Sequence, residues 1–401
     1  MDHVPPIAAG LEPPARLEPF AKSDPARWGL DRAITFLNHG SFGARTRDVL
    51  ARQAVWRDRI EARPIEMLGR RVRELLAPAK EAVAAFVGAD PEGLGFVTNA
   101  TEGVNAALRS VPWRRGSRIV TTDHVYHAVR QTLRRIAAEH ELELVEVSVP
   151  LPLQGPEQIV AAIEPWLGPP TQLLLVDHVT SPTAVRFPAE VLTELCRQRS
   201  IEILVDGAHA PGMIDLDLQA MDPDHYAANL HKWVGAPLGT AFLWSSPRVR
   251  ARVHPNVTSH FFREGFAAEF DWQGTRDISG WITAKDAIED LMPLGWDRVQ
   301  AHHHQLVSWA HAMLVERWEV EPMTPLDGSM LGSMAVVEVP ARLSQRHESK
   351  ESLQEEILRE HRIELPVIDW GGRRFVRISA MLHNHPSHYL QLAEAILDLA
   401  G

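Results

Sequence analysis

Short apolar segments alternate with longer amphipathic segments along most of the chain. The short segments, which are typical of buried strands, cover residues 95–98, 117–121, 142–147, 173–177, 201–205 and 240–244. Residues 49–60 and 70–87 instead repeat their apolar positions with helical spacing. Apolar strands that alternate with helices indicate a mostly parallel sheet that is covered by helices on both faces.

A smaller set of predicted elements follows towards the C-terminus. A long helical stretch from near Gly280 to about Trp318 precedes strands at 334–339 and 374–379, a helix near 350–361 and a last helix from about Ser387. We therefore predict an α/β protein with a three-layer sandwich at residues 29–285. A smaller α/β domain at residues 286–401 would pack with part of the N-terminal segment. Residues 1–28 are rich in proline, and we expect them to form an extended arm.

The composition narrows the class of protein. Hydrophobic residues make up 45% and charged residues 23% of the chain, as in ordinary globular proteins. The formal net charge of −11 argues against nucleic acid or an anionic membrane as the main partner. We find no apolar stretch long enough to span a bilayer and no secretory signal. A single cysteine excludes an internal disulfide and fits the cytoplasm as the expected location.

Asp206 and Lys232 form the most informative pair in the chain. Asp206 ends the apolar strand 201–205, and Lys232 follows downstream in the small-residue segment 229–239. A pyridoxal phosphate enzyme needs a lysine for the Schiff base with the aldehyde and an acid that keeps the pyridine nitrogen protonated. Either residue alone would more often be a surface lysine or a turn residue. Together they predict a catalytic pair with pyridoxal 5′-phosphate as the cofactor.

Further segments extend this pattern into a family resemblance. Residues 36–43, 98–105, 123–126, 205–212, 229–239 and 274–277 resemble the class V aminotransferase group of fold-type I pyridoxal phosphate enzymes, and within it the isopenicillin N epimerase-like branch. The resemblance covers residues 30–385. It is specific for the superfamily and only weakly specific for the reaction.

The resemblance implies which residues bind the cofactor. Residues 98–103 follow a predicted strand and open a predicted helix, where free amides can receive a phosphate. The implied phosphate ligands are Ala100, Thr101, Asn229 and His231, and the implied contacts near the phenolic oxygen are Thr180 and His209. Tyr126 matches the aromatic residue that stacks on the ring and could also transfer a proton, with His127 as the alternative. Thr275 matches a residue that reaches the phosphate of the neighbouring subunit, which implies a homodimer with a shared active site.

The resemblance also implies where the substrate binds. Arg377 aligns with the arginine that holds the substrate α-carboxylate, and a guanidinium suits this role because it can donate two parallel hydrogen bonds. Arg373 and Arg374 are close competitors for this role. Asn38 and His39 are expected to line the substrate entrance. We predict no metal, because residues 302–304 lie in a helix and residues 383–388 lack an acid or thiol to complete a tetrahedral site.

These residues predict an enzyme that acts at Cα of an amino acid or a derivative of one. Lys232 would remove the α-proton, and return of a proton from the opposite face, with Tyr126 as the candidate donor, would give epimerisation. Loss of a β-substituent would make the protein a C–S lyase, and return of the proton to the cofactor would make it an aminotransferase. A desulfurase is disfavoured because no cysteine follows Cys196. A noncatalytic binding protein with the same fold is the remaining alternative.

Overall fold

The computed structural model describes residues 25–401, so most of the predicted N-terminal arm lies outside the described residues. The strands are β1 (Thr35–Phe36), β2 (Leu94–Val97), β3 (Arg118–Thr122), β4 (Glu143–Val147), β5 (Thr171–Asp177), β6 (Glu202–Asp206), β7 (His225–Asn229), β8 (Ala241–Ser245), β9 (Met334–Glu338), β10 (Ile363–Glu364), β11 (Val367–Trp370) and β12 (Arg373–Ser379). The α-helices are α1 (His39–Phe42), α2 (Arg47–Ala62), α3 (Val72–Phe86), α4 (Ala100–Ser110), α5 (His127–His140), α6 (Glu157–Ile163), α7 (Ala189–Gln198), α8 (Leu218–Met221), α9 (Phe266–Asp271), α10 (Ser279–Ile282), α11 (Ala284–Leu291), α12 (Trp296–Trp318), α13 (Ala341–Arg346), α14 (Lys350–His361) and α15 (Pro386–Ala400).

The central sheet has seven strands in the order β2-β8-β7-β6-β5-β3-β4. Strand β8 runs antiparallel to both of its neighbours, and the other neighbouring pairs are parallel. Apolar side chains alternate between the two faces of this sheet. In β5, Leu174 and Val176 join the hydrophobic cluster that contains α3 and α7, whereas Leu173 and Leu175 join the cluster that contains α4 and α5. The three-layer arrangement predicted from the sequence is therefore confirmed.

A second core lies in the C-terminal part of the chain. Strands β11, β12 and β9 form an antiparallel sheet that packs with α12, α14 and α15. The N-terminal strand β1 pairs in parallel with β10 of this region. The segment that follows β1, which contains the predicted entrance residues Asn38 and His39, is thereby held between the two cores.

The short strands β1, β10 and β11 were not predicted from the sequence, and two further differences have a local physical cause. The expected helical stretch from Gly280 to Trp318 is divided into α10, α11 and α12. Pro293 cannot donate a backbone hydrogen bond, and Gly295 has a positive φ of 78°, so the helix ends before α12 begins. Strand β7 was not predicted because His225–Asn229 lacks the run of large apolar residues that marks the other central strands.

The carboxyl ends of three parallel strands meet at one edge of the sheet. Asp177, Asp206 and Asn229 are the last residues of β5, β6 and β7. Ligands of open α/β sheets bind beyond this edge, so the fold directs attention to the loops that follow these strands. Within residues 25–401 no helix combines the length and the apolar character needed to cross a bilayer.

Candidate active site

The loop after β7 holds Lys232 in a fixed backbone conformation. The amides of Leu230 and His231 both donate to Thr240 O, at 3.0 and 3.1 Å. Gly43 packs against this loop so closely that a Cβ atom on it would lie 2.3 Å from His231 O, and its φ of 71° also favours glycine. These contacts fix the direction in which the Lys232 side chain leaves the backbone.

A cavity of about 490 Å³ opens at the carboxyl edge of the sheet. Its lining residues are Ser41, Phe42, Thr98, Asn99, Ala100, Thr101, Tyr126, Asp177, Ser181, Asp206, Ala208, His209, Asn229, His231, Lys232 and Gly239. The structure thus brings together eight of the residues predicted from the sequence, namely Ala100, Thr101, Tyr126, Asp206, His209, Asn229, His231 and Lys232. A larger cavity of about 910 Å³ lies beside α3, α11 and α12, and none of the predicted site residues lines it.

The amine of Lys232 lies in an environment that favours its neutral form. Among the described residues, Lys80, Lys285 and Lys350 each pair with a carboxylate, whereas Lys232 forms no salt bridge. Burial, together with the positive charge of Arg377, lowers the pKa of Lys232 to about 7. Lys232 Nζ lies 3.2 Å from His209 Nε2. A neutral amine is the form that attacks an aldehyde, so this lysine is suited to bond a cofactor.

Asp206 presents a buried carboxylate to the same cavity. Its Oδ1 accepts a hydrogen bond from the Ala208 amide at 3.0 Å. Burial raises the pKa of Asp206 to about 6, while the Ala208 amide and Lys232 act in the opposite direction. The carboxyl group has no salt-bridge partner in the described part of the chain. A protonated pyridine nitrogen would supply the missing positive charge.

The N-terminus of α4 forms another wall of the cavity. Asn99 caps this helix by accepting a hydrogen bond from the Glu102 amide at 2.9 Å, and the Ala100 amide donates to Asn229 Oδ1 at 2.8 Å. Within residues 25–401, no protein group pairs with the Thr101 amide or hydroxyl, so these donors remain for a phosphate. Asn229 therefore orients the N-terminus of α4, and the Ala100 amide already has a hydrogen-bond partner in this structure.

Of the three candidate arginines, Arg377 is the one that contacts residues of the cavity lining. It lies on β12 with 4% of its surface exposed, and its Nη1 and Nη2 donate to the hydroxyls of Ser181 and Ser41 at 3.2 and 3.3 Å. Its buried Nε has no partner, and no carboxylate pairs with it in the described chain. Arg373 instead pairs with Glu338, and Arg374 pairs with Asp369. Because an unpaired buried cation is costly, Arg377 is suited to receive an anionic ligand.

Tyr126 and His127 differ clearly in their surroundings. Tyr126 precedes α5, lines the cavity and is 44% exposed. His127 begins α5, and its Nε2 lies 3.3 Å from the side-chain nitrogen of Gln131 on the exposed side of the helix. The geometry therefore favours Tyr126 over His127 as the aromatic residue at the cavity.

Five predicted residues do not line this cavity. One is Arg377, which contacts the lining residues Ser41 and Ser181, and the other four are described next. The Thr180 hydroxyl contacts Thr183 Oγ1 at 2.7 Å and accepts from the Val185 amide at 2.9 Å, so it stabilises its own turn. His39 is buried beneath the lysine loop, where its Nε2 lies 3.1 Å from Lys232 O. Asn38 donates to Glu364 and accepts from Ser41. Thr275 is exposed on the surface of this chain and is not among the residues that line the cavity.

The sequence analysis missed several residues that line the cavity. Asp177 ends β5 in register with Asp206, so the rule that selected Asp206 could also have selected it. Ser181 replaces Thr180 at the cavity because the turn after β5 directs the neighbouring side chain inwards. Ser41 and Phe42 lie on α1, only two residues beyond His39, and no pattern in the sequence distinguishes which of these residues faces the cavity.

The residues present fit pyridoxal 5′-phosphate. The buried amine of Lys232, the carboxyl group of Asp206 and the unpaired donors of Thr101 match the aldehyde, the ring nitrogen and the phosphate in turn. No group of three or more histidine, cysteine, aspartate or glutamate side chains within residues 25–401 has the geometry of a metal site.

Comparisons with known proteins agree with this geometry. The family model described as aminotransferase class-V matches residues 59–383. An isopenicillin N epimerase of Amycolatopsis lactamdurans is 33% identical over 92% of this chain and 96% of its own length. A probable chloroplastic L-cysteine desulfhydrase of Arabidopsis thaliana is 29% identical over 90% of this chain and 82% of its own length. The structure of a cystine C–S lyase with its product cysteine persulfide has a TM-score of 0.77 at 19% identity, over 92% of this chain and 97% of that one, and this likeness supports the fold. These matches confirm the predicted resemblance to class V pyridoxal phosphate enzymes.

Proposed function

Because the chain belongs to the aminotransferase class-V family, we propose that it is an epimerase-like pyridoxal phosphate enzyme that removes and returns a proton at Cα of an amino acid or a derivative of one. The observation that carries this proposal is that two groups able to carry a proton, Lys232 and Tyr126, line the same cavity. The similarity to an isopenicillin N epimerase over most of the chain supports the same reaction type.

Arg377 and its serine neighbours would orient the substrate. The unpaired guanidinium, held by Ser41 and Ser181, would bind the α-carboxylate through charge-assisted hydrogen bonds. Its placement would fix the direction of the Cα–H bond relative to Lys232. Because Arg377 belongs to β12 and Lys232 to the large sheet, correct orientation depends on how the two cores pack together.

Lys232 and Tyr126 would handle the proton on either side of Cα. When bound, pyridoxal phosphate supplies an electron-accepting ring that stabilises negative charge at Cα, and Asp206 keeps its nitrogen protonated. Lys232 Nζ, in its neutral form, would take the Cα proton from one side. The Tyr126 hydroxyl would return a proton from the other side, which inverts the configuration.

A second candidate is β-elimination from a cysteine-type substrate. The similarity to a probable L-cysteine desulfhydrase favours it, and Tyr126 could equally protonate a departing sulfur atom. A route through an enzyme persulfide is disfavoured, because Cys196 is buried in α7 and burial raises the pKa of its thiol to about 12. Transamination would require the proton to return to the cofactor instead of to Cα.

The experiment that separates these reactions uses single amino acids in heavy water. Inverted product with deuterium at Cα, and no ammonia or keto acid, is the result expected of an epimerase. Keto acid, ammonia and thiol in equal amounts would overturn the epimerase proposal in favour of elimination. Keto acid with conversion of the cofactor to its amine form would instead identify an aminotransferase.

We also infer a homodimer whose subunits share the active site, in a cytoplasmic enzyme. Large apolar side chains are exposed beside the cavity, including Phe42 at 70% and Leu238 at 59%, and such a patch favours a protein interface. Thr275 is exposed in this chain, as a residue that serves the neighbouring subunit would be. Light scattering on the purified protein tests this, and a monomer at micromolar concentration would contradict it.

A further inference from the structure

Trp233, which directly follows the cofactor lysine, forms a hydrogen bond that no part of the proposed reaction uses. Its indole Nε1 donates to His209 Nδ1 at 3.4 Å, and the other ring nitrogen of His209, Nε2, lies 3.2 Å from Lys232 Nζ. The three side chains therefore form a hydrogen-bonded series that runs from Trp233 through His209 to the reactive amine of Lys232. Trp233 is fully buried and His209 is 1% exposed, so water does not compete for these contacts.

The chemistry of the indole determines which atom donates and which accepts in each hydrogen bond of this series. A tryptophan Nε1–H can only donate a hydrogen bond, so His209 Nδ1 must accept and cannot carry a proton. Burial, followed by the charges of Lys232, Arg377 and His231, holds the pKa of His209 well below its ordinary value, so the ring is neutral. A neutral ring without a proton on Nδ1 carries it on Nε2. That Nε2–H points at Lys232 Nζ, which must then accept with its lone pair.

Backbone contacts hold Trp233 and His209 in fixed positions relative to each other. Gly212, in the turn after β6, packs against the backbone of Trp233, where a Cβ atom would lie 2.9 Å from the Trp233 carbonyl carbon. The φ of 80° at Gly212 also favours glycine. The Ala210 amide donates to Gly207 O at 2.9 Å and thereby fixes the turn that contains His209. The ring of His39 lies against that of Trp233, with their centroids 5.0 Å apart.

We propose that Trp233 is a positioning residue that fixes His209 in its Nε2–H tautomer and thereby directs a hydrogen-bond donor at Lys232 Nζ, which favours the neutral amine. This inference deepens the proposed function, since it rests on Lys232 being the amine that bonds the cofactor. Without the indole donor, His209 could move its proton to Nδ1. Its Nε2 would then accept from a protonated Lys232 and stabilise the unreactive ammonium form.

The tautomer can be read directly in the cofactor-free wild-type protein. Two-bond ¹H–¹⁵N correlation spectra of protein labelled at histidine distinguish the two neutral tautomers, and comparison with His209→Asn identifies the signals of His209. We expect an unprotonated Nδ1 and a protonated Nε2 at neutral pH. A proton on Nδ1, or a charged ring, would overturn the proposal without the need for any tryptophan variant.

The effect on Lys232 is tested by Trp233→Phe. The rate at which cofactor-free protein reacts with pyridoxal phosphate is followed against pH by absorbance, with no amino acid substrate present. We expect the apparent pKa of Lys232 to rise by about one unit, so that the fraction of neutral amine, and with it the rate at pH 7, falls about fivefold. An unchanged apparent pKa in a folded variant would overturn the proposal.

Trp318→Phe is the matched control. Trp318 is also buried and donates its indole N–H, at 3.3 Å to Ala393 O, but it lies in the C-terminal core. This variant should leave both the His209 tautomer and the apparent pKa of Lys232 unchanged. An equal shift in both variants would attribute the effect to a general loss of packing and overturn the specific role of Trp233. Because no measurement uses a substrate, failure of the proposed epimerase reaction would leave these results intact.

Discussion

Asp177 and Asp206 end two adjacent parallel strands in the same register, and both carboxyl groups line the cavity that contains Lys232. Asp177 Oδ2 is buried without a hydrogen-bond partner. Burial and the charge of Asp206 raise the pKa of Asp177 well above its ordinary value, whereas Asp206 titrates at about 6. Two neighbouring buried carboxylates resist joint ionisation, and the larger rise in pKa falls on Asp177, so we expect Asp177 to hold a proton more readily than Asp206.

Because the two carboxyl groups differ in pKa, replacing each of them with asparagine should affect kcat unequally. Asp206→Asn removes the charge that keeps the ring nitrogen protonated, so we expect kcat to fall roughly 10²- to 10³-fold. Asp177→Asn replaces a neutral acid with a neutral amide of the same shape, and we expect a loss of less than about tenfold. Steady-state kinetics at pH 7 measures both variants. Equal losses would contradict the assignment of the charge to Asp206.

Arg377→Ala should weaken substrate binding without weakening cofactor binding. Loss of one partner from a buried charge pair costs about 2–5 kcal/mol, which raises KM by roughly 30-fold or more. Arg374→Ala is the control, because Arg374 already pairs with Asp369 away from the cavity. KM is measured by initial rates, and the dissociation constant of the cofactor by absorbance titration. An unchanged KM in Arg377→Ala would exclude it as the carboxylate ligand.

Tyr126→Phe should separate proton removal from proton return. We expect epimerisation to slow by about 10²- to 10⁴-fold, since the variant lacks the acid on one side of Cα. Exchange of the Cα proton with solvent through Lys232 should persist with retention of configuration. Tyr389→Phe is the control, because the Tyr389 hydroxyl donates to Ser379 O in the C-terminal core. Full epimerisation by Tyr126→Phe, measured by chiral chromatography, would require another acid.

Loading of the cofactor should depend on pH in a defined direction. Burial lowers the pKa of Lys232 from 10.5 to about 7, so the fraction of neutral amine increases as the pH rises through this value. We therefore expect the rate of cofactor addition to the cofactor-free protein to increase through about pH 7 and then level off. Stopped-flow absorbance measures the rate. A rate that continues to climb towards pH 10 would indicate an ordinary, solvent-exposed lysine.

Most of the central strands and the central chemistry were predictable because each has a local signal. Apolar runs marked β5 and β6, and the polar residue that ends β6 identified Asp206. Strand β7 lacks a run of large apolar residues, because two of its five residues are alanines and two are polar. There Tyr226 fills the space beside Gly207, where a Cβ atom would lie 2.1 Å from the ring. The position of β7 therefore depends on neighbouring residues that are distant in sequence.

The detailed assignment of site residues depends on how loops direct their side chains. Thr180 and Ser181 are adjacent in sequence. A hydrogen bond between the Val185 amide and the Thr180 hydroxyl keeps Thr180 away from the cavity, whereas Ser181 lines it. The choice between Arg377 and its neighbours Arg373 and Arg374 depended on acids elsewhere in the sequence. Glu338 and Asp369 neutralise the two competitors, and this pairing appears only in three dimensions.

Lys232 is the residue that we propose holds the cofactor, and the small number of lysines makes this assignment directly testable. The chain contains Lys22, Lys80, Lys232, Lys285 and Lys350. Borohydride reduction of the yellow holoprotein, followed by peptide mass spectrometry, locates the lysine that carries the phosphopyridoxyl group. We predict that the group is found on Lys232 and that Lys232→Ala, unlike Lys285→Ala, lacks the absorbance band at about 420 nm. A phosphopyridoxyl group on another lysine, or a band that persists in Lys232→Ala, would contradict the account.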